Sequence, residues 1–476
     1  MLFNSLIFIC IFLPVVLLIY YVLPIKLKNI FLMLASLFFY IWGGSKFVFL
    51  LLFMASVDYV LGVLIDKYVK FSKFFLLCGV ICSLSILGYY KYMNFILINV
   101  NKYLGGQFQI NGILLPIGIS FYTFQGASYL IDVYRYANKK YEGSDSLSGC
   151  KVQKNPLKLL LYISLFPQLI AGPIIRYKDI SEQINARKHS IEKVSKGMET
   201  FICGLAKKVV IADTMAVIAE KIFALEPGHL APGIAWIGAV SYTLQIYFDF
   251  SGYSDMAIGL GKLFGFDFTG NFNYPYISKS ITEFWRRWHI SLSSWFRDYV
   301  YIPLGGSKKG NVYIHLLIVF LLTGFWHGAS WEFIAWGIWY AIFIIMERWI
   351  KNSKMKLPKI PSCVRWLYTM LVVVLGWVLF RAGSLHDALT YFKGMFGISE
   401  LEFQPFSWRY YLDNKAIFIM VVAVLLSVLP AQKGIDFLRH RKAGEWVVKL
   451  LSILLFLICL IMIVNSLYSP FIYFRF

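Results

Sequence analysis

Residues 281–310 read ITEFWRRWHISLSSWFRDYVYIPLGGSKKG, and residues 321–331 read LLTGFWHGASW. These two stretches flank one apolar span and contain His289 and His327 among several tryptophans. On both sides of them, the chain consists mostly of long apolar runs. We therefore interpret most of the chain as a membrane scaffold that holds these two histidines.

The first stretch has the pattern of an amphipathic helix. Ser280 can cap its N-terminus, and Glu283 completes a capping box of the S-x-x-E type. At helical spacing one face carries Trp285, Trp288, His289, Leu292, Phe296 and Tyr299. The other side carries Arg286, Arg287, Ser294 and Arg297. Pro303 is predicted to end the helix. A helix of this kind is also typical of segments that only anchor in the headgroup region.

His327 lies in an otherwise uncharged stretch at predicted membrane depth. An ionisable residue at such a depth is a candidate functional residue. The alternative is a core histidine in a helix whose Gly324 and Gly328 have G-x-x-x-G spacing and serve close packing. The residues alone leave both interpretations open.

The composition excludes a soluble protein, because 59% of the residues are hydrophobic and only 15% are charged. Residues 1–23 lack a basic n-region and a small-residue cleavage site, so they are predicted to be a retained first span. The net charge of +21 is spread over the loops. This pattern indicates membrane topology and contact with anionic lipids, and we expect no nucleic-acid partner.

The apolar runs predict an all-α polytopic integral membrane protein with about 11–12 transmembrane helices, together with re-entrant and amphipathic helices. Spans are predicted near 2–23, 30–42, 46–66, 74–98, 113–136, 198–223, 234–250, 311–327, 330–348, 366–381, 415–430 and 447–467. We expect a single membrane domain over residues 1–476. It comprises N-terminal spans at 1–112, a core at 113–350 and C-terminal spans at 351–476.

Basic residues predict the orientation of the chain in the membrane. Segment 137–197 holds eleven lysines and arginines, and segment 349–365 holds five basic and no acidic residues. Segment 383–414 holds two basic and four acidic residues. The positive-inside rule therefore places the first two segments in the cytoplasm and 383–414 outside. Both termini are then extracytoplasmic, and the His289 helix faces the cytoplasm.

Two further segments indicate an internal chamber. Residues 157–176 are apolar but broken by prolines and a glycine, which predicts a re-entrant element surrounded by protein or by a water-filled cavity. Residues 248–268 place Asp249 and Asp255 beside glycines. These acids either line the chamber or pair with lysines of a loop.

The seven cysteines are scattered, and they form neither a C-x-x-C pair nor a Cys/His ligand pattern. The sequence therefore predicts neither a disulfide framework nor a metal site.

Five strings carry a resemblance to a known family. They are LPIGISFYTFQGASYLIDVYR (115–135), LFPQLIAGPIIR (165–176), YFDFSGYSDMAIGLGKLFGFDF (247–268), FWRRWHISLSSWFRDYVYIPLGG (284–306) and GFWHGASW (324–331). In this order they resemble the membrane-bound O-acyltransferase family, and within it the bacterial branch that O-acetylates alginate, other exopolysaccharides or cell-wall glycans. The resemblance covers about residues 113–350 and weakens the anchoring interpretation of the His289 helix.

The resemblance implies a ring of tilted helices around a central tunnel. It also implies that His327 matches the family's buried catalytic histidine and that His289 matches a second polar position. A cytoplasmic acyl thioester would enter this tunnel and supply its acyl group to an acceptor on the far side. No permanently bound cofactor is expected, and acetyl-CoA or another acyl thioester is the implied donor substrate.

The chemistry of such a transfer suits histidine. Because a thioester is already activated, the enzyme must mainly deprotonate a hydroxyl and stabilise an oxyanion. We expect His327 to act as general base, with His289 orienting it or the acyl carbonyl. Candidate donor-binding residues at the cytoplasmic mouth are Arg286, Arg287, Arg297, Lys308 and Lys309, although each is equally typical of the positive-inside pattern. Candidate tunnel-lining residues are Trp285, Trp288, Trp326, Trp331, Asp249 and Asp255.

The C-terminal string SPFIYFRF permits two interpretations. It is typical of an aromatic belt at the membrane interface. It also resembles the C-terminal motif of the small partner used in teichoic-acid D-alanylation, which implies that Tyr473 can carry an acyl group. Arg475 departs from that motif, which has Gln or Glu at this position.

The sequence as a whole predicts a membrane-bound O-acetyltransferase of the bacterial cell membrane that serves O-acetylation of a surface polysaccharide. The family implies an extracytoplasmic SGNH-type transferase or esterase as a partner. One alternative is transfer of D-alanine, or another acyl group, from a carrier protein to teichoic acid. A transporter or flippase is a non-enzymatic alternative, but the chain lacks the internal symmetry expected of one.

Overall fold

The computed structural model describes residues 1–110, 112–139, 149–170, 172–226, 230–353, 360–398, 407–429, 442–465 and 471. Within these ranges all regular structure is helical and no strand occurs. The prediction of an all-α polytopic membrane protein is therefore confirmed. The described residues form two compact units, Met1–Phe201 with Met256–Thr269 and Ile202–Asp255 with Gly270–Phe476.

The first unit holds the N-terminal helices. They are α1 (Leu13–Val22), α2 (Ile25–Gly43), α3 (Val48–Lys67), α4 (Ser72–Leu87), α5 (Met93–Leu104), α6 (Ile119–Ala137), α7 (Pro156–Ser164), α8 (Phe166–Leu169) and α9 (Tyr177–Asn185). α6 packs against α3 and α4, and almost all of its side chains are buried. α10 (Ile191–Ala206) and α12 (Pro232–Leu263) contribute residues to both units.

The second unit holds the two histidines. Its other helices are α11 (Asp213–Phe223), α13 (Ile281–Arg287), α14 (Ile290–Phe296), α15 (Val312–His327), α16 (Trp331–Asn352), α17 (Ser362–Arg381), α18 (Leu385–Met395), α19 (Trp408–Tyr411), α20 (Asn414–Val428) and α21 (Lys442–Asn465). A π-helical turn, Lys207–Ala212, joins α10 to α11, and another, Arg297–Tyr301, extends α14.

Six segments of the described chain are long and apolar enough to cross a bilayer. They are Ile25–Gly43, Ser45–Lys67, Val69–Leu104, Trp331–Asn352, Ser362–Arg381 and Gly444–Asn465. Three shorter apolar helices are Ile7–Val22, Val312–His327 and Asn414–Val428. These segments coincide with predicted spans. The remaining predicted spans, 113–136, 198–223 and 234–250, are also largely helical, but they carry more polar residues, several of which, such as Gln125, Lys208 and Asp249, are buried inside the protein.

The predicted re-entrant segment is short and broken. α7 has nine residues and α8 has four, and nine residues extend only about 14 Å, less than half of a hydrocarbon core. Side chains between Leu159 and Tyr177 are buried wherever the structure describes them, apart from the partly buried Leu160. The broken backbone therefore lies within protein, as the sequence predicted.

α15 and α16 pack closely through glycines. A Cβ atom on Gly324 would collide with the Phe333 carbonyl oxygen and lie 3.2 Å from the Gly337 Cα. A Cβ atom on Gly328 would collide with the Phe333 ring. The close-packing role predicted for Gly324 and Gly328 is therefore correct, and it fixes the end of α15, where His327 lies.

Candidate active site

Helix α13 begins where the sequence predicted. The Ser280 Oγ atom accepts a hydrogen bond from the Glu283 N–H at 3.0 Å. The Glu283 carboxylate accepts from the Lys279 N–H at 3.0 Å and so does not close the predicted box on Ser280. The Glu347 carboxylate of α16 accepts from the first two N–H groups of α13 at 2.6 and 2.9 Å. The start of α13 is therefore held both by its own cap and by α16.

The prediction of one continuous helix through His289 is wrong. α13 ends at Arg287 and α14 begins at Ile290. Between them Trp288 is extended, and His289 adopts a left-handed conformation with φ 44° and ψ 56°. A non-glycine residue in this conformation is strained, and such strain persists only where the surrounding structure enforces it, often at functional sites.

The segment Asn271–Asn273 enforces this break. The Ile290 N–H donates to the Asn271 main-chain oxygen at 2.9 Å, and the Asn273 N–H donates to the Arg287 carbonyl at 2.9 Å. The partners in these hydrogen bonds lie more than ten residues upstream. Helical periodicity within 281–301 therefore cannot predict these bonds. They replace helical bonds and turn the His289 side chain inward.

The predicted inward-facing residues are nevertheless correct. Trp285, Trp288, His289, Leu292, Phe296 and Tyr299 are all buried. Arg286 and Arg297 are exposed, and Arg287 and Ser294 are partly buried. The aromatic face of the sequence pattern therefore survives the helix break.

The His289 ring is completely buried and makes its polar contacts on one edge only. Its Nδ1 lies 3.2 Å from the Asn271 Oδ1 and 3.4 Å from the Ser291 Oγ. Its Nε2 is buried and has no hydrogen-bond partner among the described residues. His289 lies outside the helices long enough to span a membrane. Burial lowers the pKa of its imidazole, which favours the neutral ring.

Aromatic rings surround both histidines. His289 packs edge-on against Phe250, with ring centroids 4.6 Å apart, and lies 6.2 Å from Trp326. The His327 ring lies 4.9 Å from the Trp326 ring and 5.0 Å from the Trp336 ring. His327 is also buried. The structure therefore brings the two predicted catalytic residues against one shared ring, that of Trp326.

A cavity of about 550 Å³ lies beside the two short helices. Its apolar wall includes Trp285 and Phe320, and its polar wall includes Arg286, Arg297 and Thr323. Trp285 lies 5.6 Å from Trp336, the ring that also contacts His327. Ile290, next to His289, lines the same cavity. The cavity is thus linked to His327 through the rings of Trp285 and Trp336 and to His289 through the neighbouring residue Ile290.

The candidate donor-binding residues differ in their surroundings. Arg287 pairs with Glu283 at 3.0 Å, and Arg297 pairs with Asp298 at 2.6 Å. Arg286 makes no hydrogen bond or ion pair with the described residues and lines the cavity. Lys308 and Lys309 are exposed and do not line the cavity. Only Arg286 and Arg297 therefore combine a cation with a position on the cavity wall.

Both acids of the 248–268 segment are in ion pairs. Asp249 lies 2.7 Å from the Lys208 Nζ, and Asp255 lies 2.6 Å from the Lys207 Nζ. Of the two interpretations that the sequence left open, the pairs agree with the second. The lysines, however, belong to the π-helical turn Lys207–Ala212 and not to a loop.

The four predicted tunnel-lining tryptophans differ in burial and in their position relative to the cavity. Trp285, Trp288 and Trp326 are buried in the aromatic cluster around the histidines, whereas Trp331 is 48% exposed. Trp285 is the one of these four on the wall of the 550 Å³ cavity. Tyr473, the candidate acyl carrier, lies outside the described residues.

Sequence reasoning missed Asn271, Ser291 and Glu347. The Asn271 side-chain oxygen accepts from the Ser291 N–H at 3.1 Å and from the Ser291 Oγ at 2.9 Å, in addition to its contact with His289. No motif singled out these residues, because their partners are distant in sequence. The only sequence signal for Asn271 was its position as a polar residue between the apolar helix α12 and the aromatic residues that follow it.

The profile of the membrane-bound O-acyltransferase family matches residues 102–385. This range covers more than half of the chain and includes both histidines, the cavity wall and Asn271. The chain belongs to the membrane-bound O-acyltransferase family. The resemblance seen in the five strings is therefore confirmed, and the protein is an O-acyltransferase with a polytopic helical fold.

Relatives with the names of three types of O-acyltransferase are similar to this protein. The Pseudomonas putida protein named "Probable alginate O-acetylase" is 39% identical, over 100% of both chains. The "Peptidoglycan O-acetyltransferase" of Helicobacter pylori is 38% identical over 84% of this chain and 80% of that protein. The "Teichoic acid D-alanyltransferase" of Bacillus subtilis is 27% identical over 54% of this chain and 65% of that protein.

Proposed function

We propose that this O-acyltransferase takes acetyl from a cytoplasmic thioester, acetyl-CoA, and supplies it across the cell membrane for O-acetylation of a surface polysaccharide. The observation that carries the proposal is the pair of buried histidines against Trp326, together with a cavity that is walled by Trp285 and two arginines and linked to His327 through Trp285 and Trp336. The 39% identity, over the full length of both chains, to a protein named as a probable alginate O-acetylase supports acetyl as the transferred group.

In the proposed reaction His327 takes the proton of the attacking hydroxyl. The hydroxyl oxygen forms a bond to the thioester carbonyl carbon, the carbon–sulfur bond breaks, and the proton passes from His327 to the departing thiolate. A positioned general base contributes about 10²–10⁴-fold to such a step. The aromatic surroundings of His327 exclude water, which otherwise competes as the nucleophile.

The cavity is proposed to receive the donor. Its volume of about 550 Å³ falls in the range of small-molecule sites, which is about 300–1,000 Å³. Arg286 and Arg297 supply cations that suit phosphate groups, while Trp285 and Phe320 supply an apolar wall for the acyl chain and the pantetheine arm. Lys308 and Lys309 are proposed to add positive charge outside the cavity.

The route of the acetyl group after the first transfer belongs to the same proposal. Tyr473 is proposed as the hydroxyl that accepts acetyl and carries it outside, where an SGNH-type transferase completes the reaction. In this arrangement both termini and segment 383–414 are extracytoplasmic. Direct attack by a polysaccharide hydroxyl uses the same base and thioester and differs only in the nucleophile.

Donor preference tests this proposal against D-alanyl transfer, which the relative from Bacillus subtilis brings into consideration. The purified protein in proteoliposomes is offered either labelled acetyl-CoA or a D-alanyl carrier protein, and intact-protein mass is measured together with label release. Consumption of acetyl-CoA with one acetyl group on the protein, or with labelled acceptor glycan, supports the proposal. Turnover with the carrier protein alone contradicts it.

A further inference from the structure

The hydrogen bonds around His289 determine which of its ring nitrogens carries the proton. The Ser291 backbone N–H can only donate, and it points at one terminal atom of the Asn271 amide at 3.1 Å. That atom must therefore be the amide oxygen, which settles the orientation of the Asn271 side chain. The same oxygen lies 3.2 Å from the His289 Nδ1.

An amide oxygen accepts and does not donate. A neutral imidazole next to it must place its proton on Nδ1 so that Nδ1–H donates to Asn271. The Nε2 atom then keeps its lone pair, and it is buried without a hydrogen-bond partner among the described residues. Burial lowers the pKa of the His289 imidazole and so favours the neutral ring. Its neighbours from α12 and α15 are the aromatic rings of Phe250 and Trp326.

We propose that Asn271 is a positioning residue that holds His289 in the Nδ1-protonated tautomer, so that the Nε2 lone pair and His327 share the O–H of the attacking hydroxyl in a three-centre hydrogen bond until His327 takes the proton. This inference rests on the proposed acyl transfer, and it changes the role that the sequence suggested for His289. A bare lone pair repels a carbonyl oxygen, so His289 in this tautomer does not polarise the acyl carbonyl. It aligns the hydroxyl instead.

The backbone supports the same interpretation. The Ile290 N–H donates to the Asn271 main-chain oxygen at 2.9 Å and the Ser291 N–H to its side-chain oxygen at 3.1 Å, so Asn271 holds the two residues that follow His289. The left-handed φ of 44° at His289 is the conformation that this pairing requires. A strained backbone and a fixed tautomer at one buried histidine are expected at a site where the proton must lie on one particular ring nitrogen.

Three variants separate this role from a merely structural one. Asn271→Ala removes the acceptor and releases the tautomer. Asn271→Asp keeps an acceptor at Nδ1 but adds a buried charge. Asn273→Ala is the matched control, because it lies two residues along the same segment, its side chain is exposed, and only its main chain makes hydrogen bonds.

The first readout is independent of activity. ¹⁵N-histidine labelling of the full-length protein, with the His289 signals assigned from a His289→Gln sample, distinguishes a protonated from an unprotonated ring nitrogen. We expect Nδ1 protonated and Nε2 bare in the wild type and in Asn273→Ala, and a changed pattern in Asn271→Ala. A wild-type His289 with its proton on Nε2 overturns the inference, whether or not acetyl transfer is found.

The second readout is the pH dependence of kcat for acetyl transfer. Asn271→Ala should lower kcat at unchanged KM for the donor, by less than the roughly 10²–10⁴-fold that the base itself contributes. Asn271→Asp should retain activity at alkaline pH and lose it as the pH falls, because the new carboxylate raises the pKa of His289 and charges the ring. Its acid limb should therefore lie at higher pH than that of the wild type.

The possible outcomes distinguish failure of the positioning role from failure of the proposed function. Wild-type kcat in Asn271→Ala, or an Asn271→Asp pH profile that matches the wild type, overturns the positioning role. If the wild type itself transfers no acetyl, the proposed function fails, while the NMR pattern still tests the tautomer. If Asn271→Ala fails to fold, the Asn271→Asp profile and the wild-type spectrum remain decisive.

Discussion

Replacing Gly324 with alanine should separate catalytic activity from stability. A Cβ atom at this position collides with the Phe333 carbonyl oxygen and lies 3.2 Å from the Gly337 Cα. Both obstacles are backbone atoms of α16, so no side-chain rotation relieves the contact. Because carbon atoms prefer separations of about 3.5–4.0 Å, α15 and α16 must move apart by about 1 Å near the residue that ends α15, His327.

The expected loss of stability is modest. Overpacking costs about 1–3 kcal/mol, while alanine gains about 1 kcal/mol over glycine in a helix interior. The net destabilisation is thus about 0–2 kcal/mol. The catalytic loss is larger, because a displacement of about 1 Å in a reacting group costs about 100-fold in rate.

The assay compares kcat for acetyl transfer and the thermal unfolding midpoint in detergent for the wild type, Gly324→Ala and Gly233→Ala. Gly233, in the first turn of α12, has no atom within 4 Å of an added Cβ and is the matched control. We expect Gly233→Ala to match the wild type in both measurements. Wild-type kcat in Gly324→Ala would refute the claim that the contact between α15 and α16 sets the position of His327.

Three further predictions concern other parts of the protein. Lys208→Met leaves the buried Asp249 without one of its ion-pair partners and should cost about 3–5 kcal/mol, measured as a lower unfolding midpoint, whereas an unchanged midpoint would show that the pair is dispensable. Arg286→Ala should raise the KM for acetyl-CoA about tenfold, as expected for one charge-assisted hydrogen bond to phosphate, with kcat unchanged; a change in kcat alone would argue against a binding role. Tyr473→Phe should abolish acetylation of the protein in intact-mass spectra while the protein remains folded, and an acetyl group that persists in the variant would exclude Tyr473 as the carrier.

Local sequence patterns predicted much of the fold. Apolar runs gave the helical membrane architecture, and the S-x-x-E pattern located the start of α13 at Ile281. Helical spacing identified the buried face of residues 285–299, and G-x-x-x-G spacing identified the close contact of α15. In each case the responsible interaction connects residues only a few positions apart, or it depends on hydrophobicity alone.

The features that were missed depend on contacts between distant segments. Helical spacing predicted that the 281–301 helix continues through His289. No local sequence pattern shows that Asn271 and Asn273 bind the backbone on the two sides of the break. The cap that Glu347 provides to α13 comes from more than sixty residues away. The acids of α12 were ambiguous for the same reason, since their lysine partners lie on a separate π-helical turn.

The central claim is that His327 is the base of an acetyl transfer from acetyl-CoA. The most direct measurement is release of free coenzyme A thiol, together with acetyl incorporation, by purified wild type and His327→Ala in proteoliposomes. The account predicts that His327→Ala loses at least about 100-fold in rate, in keeping with general-base catalysis, while it keeps the wild-type unfolding midpoint within a few degrees. A folded His327→Ala that transfers acetyl at the wild-type rate would contradict the account.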